Sequence, residues 1–496
     1  MGMRRNSFQP VSTSGNIYKM KLSLILTVLI SVCYQSLPGQ AILEGNAPQF
    51  ANEVLFVRQI TNPFTGHSTI IDTLEFDSTG TFHDSIPVQE TSWIFINSGL
   101  FRITMMLQKE HGYDISLPPK TKKSEADIRN PFFKPVIAHI QVREEFRLDA
   151  PGEVYTGNDI NTRIFRFDTL ISARNQDILQ ARRLNRQYNS DSLIRKIESH
   201  FKKDTSSYFR DYRKYRYGLV RINSRDVGLR YIYDHFLGPG TPPTDNPAYY
   251  ELFNEMFDEF LFYFSRTPEG KSVNYLVNRA QDARALNDTI MKHPAVPSAG
   301  IAEMIILKGI FDIYHQNYYY KEALLRILDT IIAAPVEEIH AEWASGIKQE
   351  LIKLKIGQQP PDFNLLDAKN VNRTLEDFRG KYVYLDFCTP DNYSCLKEFP
   401  FLKAIHDVHQ EYLEIVTVMV TEKRQTMTDF MERNDYNWTA LFYGNDESLL
   451  SNYNVRAYPT SYLIDPEGKL IQSPAPLATE GLEEQLFKIM RARGDL

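Results

Sequence analysis

From residue 357 onward the chain alternates strand and helix signals, and that alternation constrains the fold more than any other feature of its 496 residues. Strand-like runs at 382–387, 414–420, 440–443, 461–464 and 470–471 are interleaved with helix-like runs at 396–409, 427–434 and 447–453, and a last helix-like run covers 481–491. Such alternation puts helices on the faces of a central mixed sheet. Asp465-Pro466-Glu467-Gly468-Lys469 forms a tight turn between the last two strands. Residues 353–361 mark the junction with the segment before.

That preceding segment, 151–356, carries helix punctuation instead. Asn158-Asp159, Asp191 and Pro297-Ser298 each stand before an apolar-periodic run. Ile301, Met304, Ile305, Leu307, Ile310 and Phe311 recur mostly three or four apart, which predicts one buried stripe. A further helix over 321–333 carries Leu324, Ile327, Leu328 and Ile331 on one face. The expectation is an all-α domain of seven or more helices, without the 34-residue self-similarity of a tetratricopeptide array. Residues 42–150 differ again. Runs rich in Val, Ile, Phe and Thr at 53–60, 69–76, 81–88, 93–97 and 102–108 are separated by Asn62-Pro63, Ser78-Thr79-Gly80, Asn97-Ser98-Gly99 and Gly112. That spacing predicts a small antiparallel β sandwich serving as a binding or spacer module.

The stretch 182–216 holds eleven Lys/Arg against four Asp/Glu, interleaved with Tyr188, Phe201, Tyr208, Phe209, Tyr212 and Tyr215. Basic and aromatic residues together can make a nucleic-acid surface. The net charge of −6 argues against that, so a solvated helix face with an aromatic inner side is expected. Tyr318–Tyr320 is expected to pack between helices.

The N-terminus speaks to compartment. The first 41 residues contain Arg4, Arg5, Lys19 and Lys21 and no acid. Met20 opens a short basic start, an apolar run over 22–33 and a polar stretch ending Gly39-Gln40-Ala41. This pattern predicts a signal peptide (1–41) cut after Ala41, with Met20 as the true start. The apolar run is shorter than the roughly 20 residues a membrane span needs. Cys33, preceded by Ile30-Ser31-Val32, offers a lipoprotein signal as the alternative, and membrane contact is expected only in that case. Removing 1–41 takes four positive charges and no negative ones, so the net charge moves from −6 to −10. Of three cysteines, only Cys388 and Cys395 then remain. That excludes a disulfide scaffold and a four-cysteine zinc site.

Several ordered matches identify what the C-terminal segment is similar to. Pro361-Asp362-Phe363-Asn364-Leu365, Gly380-Lys381 before Tyr-Val-Tyr-Leu-Asp-Phe, Cys395-Leu396-Lys397-Glu398-Phe399-Pro400, and Val455-Arg456-Ala457-Tyr458-Pro459-Thr460 stand in the order of the bacterial periplasmic thioredoxin-like disulfide reductases of the TlpA type. The resemblance covers about 135 residues and implies a C-terminal α/β thioredoxin fold over 357–496. It places the family's two motif cysteines at 392 and 395, and position 392 is Asn.

The missing residue is the attacking one. In such a reductase the first cysteine sits exposed at a helix N-terminus, where the dipole and free amides stabilise its thiolate. The second resolves the mixed disulfide. Asn392 cannot form a mixed disulfide, yet it is among the best N-cap residues. The substitution therefore keeps the cap and removes the nucleophile. Cys388 and Cys395 are expected to stand as two inert thiols, with a structural or switchable disulfide between them, or monothiol chemistry at Cys395, as the alternatives. A peroxiredoxin pattern fails, because Pro390 lies five residues before Cys395 and 392 is not Thr.

The resemblance also implies that Asp386 is the family's buried acid, that Glu398 matches its active-site glutamate or is a surface helix carboxylate, and that Pro459 is cis after Tyr458. In the family that bond exposes a backbone edge to which peptides pair. His406 and His409 are expected on a solvated helix surface, since no third metal ligand lies nearby. No Gly-rich phosphate loop appears, so no cofactor and no metal are expected. The sequence favours an exported module that binds a protein or peptide partner in the cell envelope. The competing reading is a thiol–disulfide oxidoreductase using Cys395, alone or with Cys388.

Overall fold

A computed structural model describes residues 39–495, except 89–90, 150–153, 156–157, 185, 187, 239–242, 244, 297 and 445–446. Cys33 and the basic, apolar leader therefore lie outside the described residues. Three regions follow one another: a β-rich region, a helical region and a C-terminal α/β thioredoxin-like domain.

The β-rich region forms two five-stranded sheets. One runs β10–β9–β7–β1–β4, built from Val154–Tyr155, Gln141–Arg147, His111–Ser116, Gln40–Asn46 and Thr81–Pro87. The other runs β3–β2–β5–β6–β8, from Ser68–Glu75, Val54–Ile60, Ser92–Ser98, Phe101–Leu107 and Val136–His139. Leu43, Val57, Phe82, Ile96, Ile103 and Tyr113 fill the space between them, the expected result of period-two patterning. Two pairings depart from the antiparallel expectation: β1 with β7 and β6 with β8 run parallel. β1 begins at the expected cleavage site. Gln40 and Ala41 already pair with Pro87 and Ile86, and Ala41 is fully buried. The small residue at 41 serves sheet packing, and a cut after it would fall inside β1.

In the helical region, Asn189 rather than Asp191 caps the helix Ser190–Glu198, accepting from Ser192 N at 3.0 Å. Ser298 caps Ala299–Ile313 as expected. That helix is buried on nearly every side rather than along one stripe, because neighbouring helices surround it. The basic stretch has the expected solvated face, with Arg195, Lys196, Lys202, Lys203 and Arg210 exposed and Phe209, Tyr212 and Tyr215 buried, and Arg213 is an exception. Arg213 is buried, donates to Glu198 at 3.0 Å and lies over the Phe209 ring at 4.5 Å. Arg221, just beyond the stretch, is buried and pairs with the exposed Asp191 and with Asp226. These two cations are paired with carboxylates of the same chain. Of the three tyrosines at 318–320 only Tyr319 is buried. Tyr318 rests half-exposed on Phe262 and Tyr320 is exposed.

The regions are stitched together by buried polar contacts. Asn62 donates to Trp343 O at 3.0 Å, and Asn161 bridges Met106 N and O at 2.7 and 2.9 Å. Gly357 and Gln358 exchange backbone bonds with Leu470, which fixes the junction onto the last sheet.

That sheet has seven strands in the order β12–β11–β15–β14–β13–β16–β17: Asn372–Arg373, Leu365–Asp367, Thr439–Phe442, Leu413–Met419, Tyr382–Cys388, Thr460–Ile464 and Leu470–Gln472. β13 lies inside, parallel to β14 and antiparallel to β16. It is buried along its whole length, which matches an apolar run interrupted only by Asp386. Among the described residues no helix is long and apolar enough to cross a membrane.

Candidate functional site

β13 sends alternate side chains to opposite faces. Val383, Leu385 and Phe387 join one core, while Tyr384 and Cys388 join the other. Asp386, between those two in register, faces their side. After Cys388 a short excursion returns the chain into the helix Tyr393–His409. Asn392 caps that helix: its side-chain oxygen accepts from Cys395 N at 3.1 Å. A cap of this kind stabilises a helix by about 1 kcal/mol.

The cap draws Cys395 back across the end of β13. The structure therefore joins Cys388 and Cys395 in a disulfide with Cα atoms 5.8 Å apart, both residues being fully buried. This corrects the expectation of two separate thiols. The separation is near the usual one for a disulfide, so no backbone displacement is required. Only eight residues are closed, for which loop entropy gives about 2–3 kcal/mol. Cys388→Ser is accordingly expected to lower unfolding stability by about that amount. Denaturant midpoints in oxidising buffer check this, and a reductant should bring the wild type down to the variant.

Asp386 is buried and accepts from Ser461 Oγ at 2.9 Å, while its second oxygen has no partner among the described residues. Burial, with a smaller contribution from the charge of Glu398, pushes its carboxyl up to about 7 against the pull of the Ser461 bond. Glu398 is not a surface carboxylate. It is buried and takes Thr479 N at 2.9 Å and Thr479 Oγ1 at 2.6 Å, anchoring the turn Ala478–Glu480. The Tyr458–Pro459 bond is cis. Thr460 pairs with Phe387, so extending that register by one residue sets Pro459 level with Cys388. Tyr458 and Pro459 are both half-buried, and burial pushes the Tyr458 phenol up to about 12. The structure thus brings Cys388, Cys395, Asp386 and the Tyr458–Pro459 loop to one end of β13.

His406 and His409 are buried rather than solvated. His409 Nε2 meets Glu483 at 2.5 Å and its other ring nitrogen meets Tyr412, while His406 packs beside Trp438. The C-terminal helix Leu482–Arg493, distant in sequence, covers that face. Among the described residues no group of three or more His, Cys, Asp or Glu is placed to hold a metal ion.

One contributor went unseen in the sequence. The short helix Glu125–Arg129 of the β-rich region, closed by a Ser124–Asp127 capping box, reaches the C-terminal domain. Ile128 is buried in the cluster that contains Phe387 and Val455, and Arg129 pairs with Asp391, next to Asn392. Ser124-x-x-Asp127 was the local signal for the helix; nothing local signalled its docking.

Residues 356–473 match the AhpC/TSA family. The thiol-disulfide oxidoreductase ResA of Bacillus thuringiensis subsp. konkukian is 33% identical over 143 residues, which span 28% of this chain and 80% of that protein. ResA of Geobacillus kaustophilus is 31% identical over 146 residues, 28% of this chain and 81% of that one. Among solved structures, the thioredoxin domain of a thiol-disulfide oxidoreductase from Bacteroides vulgatus is 25% identical, with a TM-score of 0.26 over 27% of this chain and 96% of that one. Through its C-terminal segment the chain belongs to the AhpC/TSA family, as a multidomain protein carrying a thioredoxin-like domain of the thiol-disulfide oxidoreductase kind.

Proposed function

We propose that the protein is an exported thioredoxin-fold module that holds a peptide or protein partner in the cell envelope and does not perform dithiol exchange. The observation that carries this reading is at the motif itself. Asn392 occupies the exposed helix N-terminus as a cap, and the two sulfurs that flank it, of Cys388 and Cys395, are buried in one disulfide. Thiol–disulfide exchange needs a thiolate with access to its target. Docking a peptide against the Tyr458–Pro459 edge needs no sulfur, and that edge is partly open. Export rests on the basic and apolar run before residue 39, with lipid attachment at Cys33 as its variant.

A second reading, an oxidoreductase working through Cys388 and Cys395, is favoured by Asp386. A buried carboxyl titrating near 7 on the disulfide's side of β13 is suited to moving a thiol proton. Insulin reduction separates the two. The wild type is expected to stay at the rate of dithiothreitol alone, and Cys395→Ser to leave it there. A rate above that baseline, lost in Cys395→Ser, would establish the oxidoreductase instead.

A further inference from the structure

The docking of Glu125–Arg129 onto the thioredoxin-like domain creates a composite surface. The Arg129–Asp391 pair holds two chain segments together, and each leaves it carrying exposed apolar residues. On one side Phe132 is 62% exposed, followed by Val136 and Ile137 in β8, with Ile137 56% exposed. On the other, Tyr393 is 80% exposed and Leu396 stands one helical turn further on. Phe132 and Tyr393 lie three and two residues from the ion pair, a reach of at most about 10 Å of chain on either side.

β8 is the last strand of its sheet, and among the described residues only β6 pairs with it. Val136 N donates inward to Leu100 O. Adjacent residues of a strand direct their backbone groups oppositely, so the N–H and C=O of Ile137 face the open side. An unpaired edge flanked by exposed Phe, Val and Ile is the arrangement that natural sheets avoid unless something covers it. Lys134 and Lys397 are exposed, one on each side of the seam, in a chain whose net charge is −6. That positive rim on an acidic protein disfavours a second copy and suits a carboxylate on the occupant.

We propose that the β8 edge takes up an extended segment of another protein, with apolar residues at alternate positions and an acidic end, by strand addition. Ile137 supplies the backbone bonds, while Phe132, Val136, Tyr393 and Leu396 receive the side chains. The inference rests on the peptide-binding reading above and adds to the Tyr458–Pro459 edge a second place of contact, with the form of the segment that occupies it.

The test uses the full chain and a fluorescein-labelled ten-residue peptide alternating Val and Thr, with Asp at each end, followed by anisotropy. Ile137→Asp is expected to weaken binding at least tenfold, with Tyr320→Ala, at an exposed tyrosine of the helical region, leaving it unchanged. The same peptide N-methylated at alternate amides, which removes backbone donors but keeps every side chain, is expected to lose binding to the wild type at least tenfold. That arm needs no folded variant. N-methylation without effect overturns strand addition. Loss in Tyr458→Ala alone keeps the peptide-binding reading and overturns this location. No binding by any variant overturns both. A dimer of the free chain in sedimentation, abolished by Ile137→Asp, makes the occupant a second copy and overturns the proposal.

Discussion

Asn392→Cys, combined with Cys388→Ser to release Cys395, is expected to give the protein measurable disulfide-reductase activity. The substituted thiol would stand where the Asn392 side chain now accepts from Cys395 N, at the amino end of the helix Tyr393–His409. Helix amides and dipole favour a thiolate there. An ordinary thiol near 8.5 is about 3% ionised at pH 7, whereas one brought to about 7 is half ionised. That alone raises the reacting fraction more than tenfold. The second thiol would be Cys395, three residues on and buried, the arrangement that resolves a mixed disulfide. Insulin turbidity checks the outcome. A folded double variant that stays at the baseline would mean that the surroundings of position 392, and not only its side chain, have lost the chemistry.

The second large effect concerns pH. The native state keeps the Asp386 proton up to about pH 7, whereas the unfolded chain releases it near 3.8. Between those values unfolding frees a proton, so stability declines as pH rises. The contribution is fully present below about pH 4 and exhausted above about pH 7. It amounts to about 4 kcal/mol at most. Asp386→Asn has no proton to lose and retains an oxygen for Ser461 Oγ. The stability difference between variant and wild type is therefore expected to shift in the variant's favour by up to that amount from pH 4 to pH 8. Urea titrations across this range read the slope directly, and a difference independent of pH would contradict the buried-acid account.

What the sequence made legible divides along the range of the interactions. Asn392 was readable as a cap because capping involves one side chain and an amide three residues away. The strand and helix alternation after residue 357 was readable because each element carries its own period. The Cys388–Cys395 pairing was not, since it depends on the path of the loop between them and on the pull of the cap. His409 looked solvated because its partner Glu483 lies 74 positions further on, and His406 because it packs against Trp438, outside its own helix. Glu398 was mistaken in part for the same reason, its partner Thr479 being 81 residues away. More remote still is Arg129, which meets Asp391 across 262 residues.

The central claim is that this thioredoxin-like domain has no accessible sulfur in its folded form. Alkylation by iodoacetamide, counted by intact mass, tests it most directly when the same chain is labelled folded, unfolded, and unfolded after reduction. The account predicts no label on Cys388 or Cys395 in the first two states and both labelled in the third. Rapid labelling of Cys395 in the folded, unreduced protein would contradict it.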